Sequence, residues 1–193
     1  MSNDLKWASQ TEKATNAAKG IIAQLRNSFS YFDAELVRLL YVSLIRPHLE
    51  YAVPVWNPHL KKDIDELENI QHRATRLCPS IKKKRYEDRL KIMRLTTLVT
   101  RRKRGDLIQL YKILNGLDRV EWNNELSKAD WGANLRRGGT CYRREPATIC
   151  SERDHFFLNR VIPLWNNLPQ KVKELISLDS FKAGLDRLES FSI

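Results

Sequence analysis

The chain has 193 residues, of which 42% are apolar and 30% charged, a balance that is ordinary for a globular protein with a buried core. Its formal net charge of +11 is not ordinary, because compact domains keep their net charge modest unless they bind a polyanion such as nucleic acid or, second, a membrane surface. The longest apolar stretch, residues 39–45, is far too short to cross a bilayer, which excludes a transmembrane protein.

Helical periodicity of the apolar residues covers most of the chain. It predicts helices over residues 11–29, 33–46, 61–78, 86–93 and 98–115. Asp33 is the expected N-cap of the second helix, which should end before Pro47 because proline disrupts a helix interior. Gly116 is the expected stop of the fifth helix.

The periodicity fades between residues 118 and 152, where we expect a long loop with a possible small β-hairpin near residues 140–150. Apolar spacing returns at residue 156, followed by a turn at Leu168-Pro169 and a last helix that starts near Asp179. The sequence therefore predicts a mainly all-α fold, a helical bundle with a long basic loop. We expect a helical basic domain over residues 1–116, a loop-rich connector over 117–155 and a C-terminal helical segment over 156–193 that packs back on the core.

Three cysteines, Cys78, Cys141 and Cys150, are an odd number at wide spacing in a chain too large to need disulfides for its core. This pattern indicates a reducing compartment. The first residues have no apolar run behind a positive start, so we expect no secretory signal. The expected location is intracellular, nuclear or cytoplasmic.

The positive charge is concentrated in the middle of the chain. Lys and Arg number 6 against 5 acids in residues 1–60, 16 against 7 in residues 61–115, and 12 against 11 in residues 116–193. Residues 73–104 alone hold 13 basic residues against Glu87 and Asp88. Such a concentration neutralises phosphates and releases counterions, which gives salt-sensitive binding with little sequence preference.

The candidate phosphate-binding residues are the basic side chains of this central window. Four of them, Arg101 to Arg104, are successive in a helix and point round more than a full turn, so several must face solvent. The alternative is a solvated helix face whose charge is balanced by acids elsewhere. The candidates are Arg73, Arg76, Lys82, Lys83, Lys84, Arg85, Arg89, Arg94, Arg101, Arg102, Lys103 and Arg104.

Aromatic residues lie among these cations and could stack on bases, although such side chains more often pack in the fold. They are Tyr86, Trp131 and Tyr142.

No catalytic or metal site is complete in the sequence. His48 and Glu50 have no nucleophile, metal or Gly-rich motif beside them, and we expect Tyr51, Val55 and Trp56 to pack a turn between two helices. Cys141, Cys150 and His155 have no fourth ligand at a zinc-like spacing. The Asp-Asp pair of two-metal polymerases is also absent from the sequence. We therefore expect no cofactor, no metal, no small-molecule substrate and no enzymatic activity of the chain by itself.

Four sequence blocks, taken in order, resemble the carboxy-terminal part of reverse transcriptases from jockey-type non-LTR (LINE-type) retrotransposons. The resemblance extends from about residue 5 to residue 188. The blocks are RPHLEYAVPVWNP at residues 46–58, KKDIDELENIQHRATR at 61–76, LTTL at 95–98 followed by RRKRGDLIQLYKILNG at 101–116, and FLNRVIPLWNNLP at 157–169.

The resemblance implies a non-catalytic fragment, because in that family the aromatic-x-Asp-Asp active site and the endonuclease lie outside this region. It implies a thumb-like module that grips template–primer nucleic acid, whether RNA, DNA or their hybrid, through the phosphate backbone. The palm and fingers of a reverse transcriptase would be its protein partners. The chain would then be a truncated element, a degenerate copy or a domesticated protein. The alternative is a helical protein–protein interaction module that docks on such a palm or another partner, with an incidental basic surface.

Overall fold

The computed structural model describes residues 7–120, 141–143 and 151–188, and it confirms a mainly all-α fold with no strand in these ranges. The predicted hairpin near residues 140–150 lies mostly outside the described residues. In chain order the helices are α1 (Ala8–Ser28), α2 (Ala34–Leu40), α3 (Arg46–Glu50), α4 (Lys61–Thr75), α5 (Tyr86–Ile92), α6 (Leu98–Leu114), α7 (Ser151–Asp154), α8 (Phe157–Asn166), α9 (Gln170–Lys173) and α10 (Leu178–Asp186).

The second helix starts as predicted but does not end before Pro47. The Asp33 carboxylate accepts a hydrogen bond from the Leu36 amide at 2.7 Å and caps α2. A π turn over Tyr41–Ile45 then joins α2 to α3, and Pro47 lies in the first turn of α3. A first-turn proline tolerates its missing amide hydrogen, so the helical path continues to Glu50 and the predicted end was wrong.

Gly116 ends α6, as its position after the last periodic residue predicts. Its φ of +67° is in the left-handed region, which glycine adopts without a steric cost. The Gly116 amide donates to the Ile113 carbonyl at 3.1 Å and the Leu117 amide to the Lys112 carbonyl at 2.8 Å. These two bonds form a Schellman motif and pair carbonyls that the helix end leaves open.

Helix α5 ends in the same way, with an arginine in the position that Gly116 occupies in α6. Arg94 has a φ of +51°. Its amide donates to the Lys91 carbonyl at 3.1 Å, and the Leu95 amide donates to the Leu90 carbonyl at 2.9 Å. A side chain in this backbone region costs roughly 1 kcal/mol compared with glycine.

The chain divides into two compact units, residues 7–102 and residues 103–188 of the described part. The division lies inside α6, earlier than the expected domain boundary after Gly116. In the first unit, α1, α2, α3 and α4 pack around a core that includes Ala18, Tyr41, Ile45, Leu49, Leu67, Ile70, Ala74, Met93 and Leu98. The expected C-terminal segment packs against the later part of α6 and forms a second core that includes Leu107, Leu110, Tyr111, Val161, Trp165, Phe181 and Leu185.

The last helix begins close to the predicted position. Ser177 is its N-cap, and the serine hydroxyl accepts a hydrogen bond from the Ser180 amide at 3.1 Å. The short helices α7 and α9 were not predicted. Over the described ranges, no helix has both the length and the apolar character needed to span a membrane.

Candidate nucleic-acid interface

Eight of the twelve candidate cations are exposed, and seven of them form a group that we name the exposed basic segment. They lie at the C-terminal end of α4, in the loop between α4 and α5, and after α5. None of the seven forms an ion pair with an acid in the described part of the chain. The segment consists of Arg73, Arg76, Lys82, Lys83, Lys84, Arg85 and Arg94.

Buried apolar anchors hold the lysine-rich loop in place. Leu77, Cys78 and Ile81 are part of the first core, while the three lysines that follow are exposed. The Lys84 amide donates to the Ile81 carbonyl at 2.9 Å and closes a turn. The side chains of Lys82–Arg85 therefore face solvent from a loop whose first part is anchored in the core.

Positively charged side chains surround His72 at this end of α4. His72 lies on the last turns of α4, and its ring centroid is 4.7 Å from that of Tyr86. Burial lowers the pKa of His72, and the charges of Arg89 and Arg76 lower it further, against the opposing effect of Glu87. A cationic imidazole is disfavoured here, as expected where positive charge is already concentrated.

Two candidate arginines are buried and do not belong to the exposed segment. Arg89 is 1% exposed and Arg102 is 5% exposed. The Arg102 guanidinium donates to the Leu49 carbonyl at 2.6 Å and to Asn57 Oδ1 at 3.2 Å, and its Cζ lies 4.6 Å from the centre of the Trp56 ring. Arg102 is thus a part of the first unit's interior.

Arg101 and Arg104 are half-buried and pair with carboxylates far away in the sequence. Arg101 makes a bidentate pair with Glu50, with Nη2 at 3.1 Å from Oε2 and Nε bonded to Oε1. Arg104 makes a bidentate pair with Asp186 at 2.7 and 2.9 Å. Lys103 alone of this quartet is exposed, so the expected concentrated positive surface does not form there. The reason is that tertiary partners, which the local sequence does not indicate, neutralise two of the four charges.

Sequence reasoning missed a partly buried polar network around Glu68. The hydroxyl of Tyr86 donates to Glu68 Oε1, the amide of Leu98 donates to Glu68 Oε2 at 3.0 Å, and the hydroxyl of Tyr41 donates to Gln71 Oε1. Gln71 in turn donates to the Tyr86 oxygen at 3.0 Å. The carboxylate therefore lies at the N-terminal end of α6, where the helix dipole favours a negative charge.

Burial is the main influence on the ionisation of this network. It raises the pKa of Glu68, although hydrogen bonds from Tyr86 and from the Leu98 and Val99 amides act in the opposite direction. Burial, followed by the charge of Glu68, also raises the pKa of Tyr86. The Tyr86 hydroxyl is thus committed to the fold, and its half-buried ring lies against His72.

His48 and Glu50 of α3 form no ion pair with each other in the described part of the chain. His48 is exposed, whereas Glu50 is paired with Arg101. Trp56 packs as expected, with 3% of its surface exposed and its Nε1 donating to the Tyr51 carbonyl at 2.6 Å. The same expectation is wrong for Tyr51 and Val55, which are 74% and 63% exposed.

The remaining candidates do not form a site in the part of the chain that the structure describes. No group of three or more His, Cys, Asp or Glu side chains there has a metal-binding arrangement. Tyr142 is buried, and its backbone amide and carbonyl are both bonded to the side chain of Asn166, at 3.1 and 2.9 Å. Cys150 and Trp131 lie outside the described residues.

Comparisons of the chain with protein-family models, with curated proteins and with solved structures found no match. The resemblance to retrotransposon reverse transcriptases therefore depends on the four sequence blocks alone.

Proposed function

We propose that the chain binds RNA, DNA or their hybrid through the phosphate backbone, using the exposed basic segment. The observation that carries this proposal is the exposure of seven cations without an ion pair within the described residues. Residues 73–94 contain nine basic residues and only two acids, Glu87 and Asp88. Unpaired surface cations at this density bind phosphates because each contact releases condensed counterions.

The chemistry of the segment favours backbone contact over base recognition. Lysine is a flexible point charge that does not select one base, and three of the seven residues are consecutive lysines. The potential stacking residue of this region, Tyr86, has its hydroxyl and one ring face engaged in the fold. Binding should therefore depend steeply on salt and weakly on sequence.

The resemblance gives this binding a context. Under the proposal, the chain is a non-catalytic fragment that resembles the thumb and the region after the palm of a non-LTR retrotransposon reverse transcriptase. Its nucleic-acid ligand would be a template–primer duplex, and its protein partners would be the palm and fingers of such an enzyme. No catalytic residue of that family falls within the four blocks.

The test is binding of the purified chain to labelled RNA–DNA hybrid, duplex DNA and single strands, measured by fluorescence anisotropy across a salt series. The variant carries Lys82→Gln, Lys83→Gln, Lys84→Gln and Arg85→Gln. Because these side chains are exposed, the fold should be retained, as circular dichroism would check. If all four contact phosphates, the slope of log affinity against log salt should decrease by about 3 to 4 units on duplex DNA.

A matched control separates location from net charge. It carries four glutamines at exposed cations of the first unit outside the segment: Lys13, Arg26, Lys61 and Lys62. The control loses the same formal charge and should keep most of the affinity and of the salt dependence. Equal losses in both variants, or no binding of the native chain at low salt, would contradict the proposal.

Exposed apolar side chains favour a second candidate, a helical module that docks on another protein. Leu39 of α2 is 59% exposed, Leu44 of the π turn is 44% exposed, and Tyr51 and Val55 follow in the next turn. Exposed apolar side chains that form one contiguous patch are typical of interaction surfaces. Self-association in sedimentation experiments that disappears with Leu39→Ser and Leu44→Ser would support this candidate.

A further inference from the structure

Arg89 is a buried cation whose hydrogen-bonding groups are largely unpartnered. Its side chain extends from α5 and is 1% exposed. Nη1 donates to the Lys82 carbonyl in a long bond of 3.4 Å, whereas the buried Nε and Nη2 have no hydrogen-bond partner among the described residues. A buried charge in this state is costly, because water has been lost and no protein group replaces it.

Buried Arg102 and half-buried Arg160 are partnered differently. Arg160 has a bidentate pair with Asp106, and Arg102 donates to a carbonyl and to a side-chain amide oxygen. No carboxylate in the described ranges forms an ion pair with Arg89. Arg89 therefore differs from them in lacking a strong acceptor.

The surroundings of Arg89 add positive charge. After burial, the charge of Arg76 is the largest cause that lowers the pKa of Arg89, with Tyr86 and Glu87 acting against it. The Arg89 Cζ lies 5.6 Å from the centre of the Tyr86 ring, within the range of a cation–π interaction. The bond to the Lys82 carbonyl places Arg89 beneath the lysine-rich loop.

We propose that Arg89 is the centre of a phosphate-binding site, in which Nε and Nη2 donate to phosphate oxygens and Arg76 and the Lys82–Arg85 loop neutralise the remaining charge. A planar guanidinium with two free adjacent donors matches the bidentate geometry of a phosphate. The ligand reaches Arg89 by movement of the loop after its anchor at Ile81, because the hydrogen bond from the guanidinium to the Lys82 carbonyl is long. This inference rests on the proposed function, because the nucleic acid bound there would supply the phosphate group.

The first test uses the native chain and inorganic phosphate as the probe. Thermal unfolding is compared in phosphate and in chloride at matched ionic strength. At a tenfold excess over its dissociation constant, phosphate should raise Tm by about 3–6 °C. Hydrogen exchange should show phosphate-dependent protection of the amides in residues 79–92. No specific stabilisation, or protection located elsewhere in the chain, would overturn the proposal.

The second test removes the buried charge with Arg89→Met and, as a matched control, an exposed charge of the same helix with Lys91→Met. Arg89→Met should lose the phosphate-dependent shift in Tm, whereas Lys91→Met should keep it. Arg89→Lys retains the charge but lacks the two-pronged donor geometry, and its shift should be reduced by more than half. A full shift in Arg89→Met would overturn the proposal.

Nucleic acid binding distinguishes this site from the proposed function. With an oligonucleotide, Arg89→Met should reduce the salt slope by about one unit, as expected for one phosphate contact. Equal affinity for 5′-phosphorylated and unphosphorylated strands indicates an internal phosphodiester as the ligand, and tighter binding of the former indicates a terminal phosphate. If oligonucleotides bind without any effect of Arg89→Met, this inference fails and the proposed function stands. If phosphate binds at Arg89 but oligonucleotides do not bind, the proposed function fails and the phosphate site stands.

Discussion

Arg102 and Lys103 are adjacent in α6, but the same substitution should destabilise the fold at Arg102 and leave it nearly unchanged at Lys103. Both carry one positive charge, but Arg102 is 5% exposed and Lys103 is exposed. Arg102→Met keeps most of the apolar stem and removes the guanidinium. Lys103→Met removes a solvated charge at the next position of the same helix.

The expected loss for Arg102→Met follows from the groups around the guanidinium. Its hydrogen bonds to the Leu49 carbonyl and to Asn57 Oδ1 contribute about 1.5–3 kcal/mol each, and the contact with the Trp56 ring adds about 1–2 kcal/mol. Relief from burying a charge offsets several kcal/mol of this total. We expect a net decrease of about 3 kcal/mol in the free energy of unfolding, which lowers Tm by about 6–12 °C in a chain of this size.

Urea denaturation monitored by circular dichroism measures both variants. Lys103→Met should stay within about 0.5 kcal/mol of the native chain, as is usual for exposed positions. The reasoning would be refuted if Arg102→Met changed the free energy of unfolding by less than about 1 kcal/mol, or if both variants lost the same amount.

Two further predictions concern the half-buried Glu68 and the buried Asp106. Burial raises the pKa of Glu68, so the folded state holds its proton to a higher pH than the unfolded state, and stability is lost as pH rises from the unfolded value through the folded one. Glu68→Gln should remove this decline, and parallel curves of unfolding free energy against pH for both proteins would contradict it. Asp106 is 1% exposed and pairs with Arg160 at 2.8 and 2.9 Å, so Asp106→Asn should cost about 3–5 kcal/mol. The double variant Asp106→Asn with Arg160→Met should recover part of this loss, as measured by denaturant unfolding. Equal losses in the single and double variants would refute a stabilising role of the pair.

Local patterns predicted the helices because they depend on nearby residues. The apolar spacing of α1, α4 and α6, the cap at Asp33 and the stop at Gly116 all involve groups within a few positions of one another. Pro47 was misjudged for a related reason. A π turn over residues 41–45 changes the hydrogen-bond pattern before the proline, and no residue type marks such a turn reliably.

The candidate site could be predicted only in part, because exposure depends on partners that are distant in sequence. Glu50 is 51 positions from Arg101, and Asp186 is 82 positions from Arg104. A run of cations therefore predicts charge but not which guanidinium reaches solvent. The lysine-rich loop was easier to identify, because consecutive lysines between two helices have few ways to become buried. Nucleic acid binding by this loop stays a prediction.

The left-handed backbone conformation of Arg94 after α5 bears on which residue type is present in the exposed basic segment. At φ +51°, glycine would be more favourable than Arg94 by roughly 1 kcal/mol, and Gly116 shows that the chain does use glycine for the same motif. Backbone stability alone would thus favour glycine at position 94, whereas binding of phosphate by the surface would favour arginine. Under the proposed function the two requirements conflict at this helix end, and Arg94 would supply a charge to the exposed basic segment at a cost in stability.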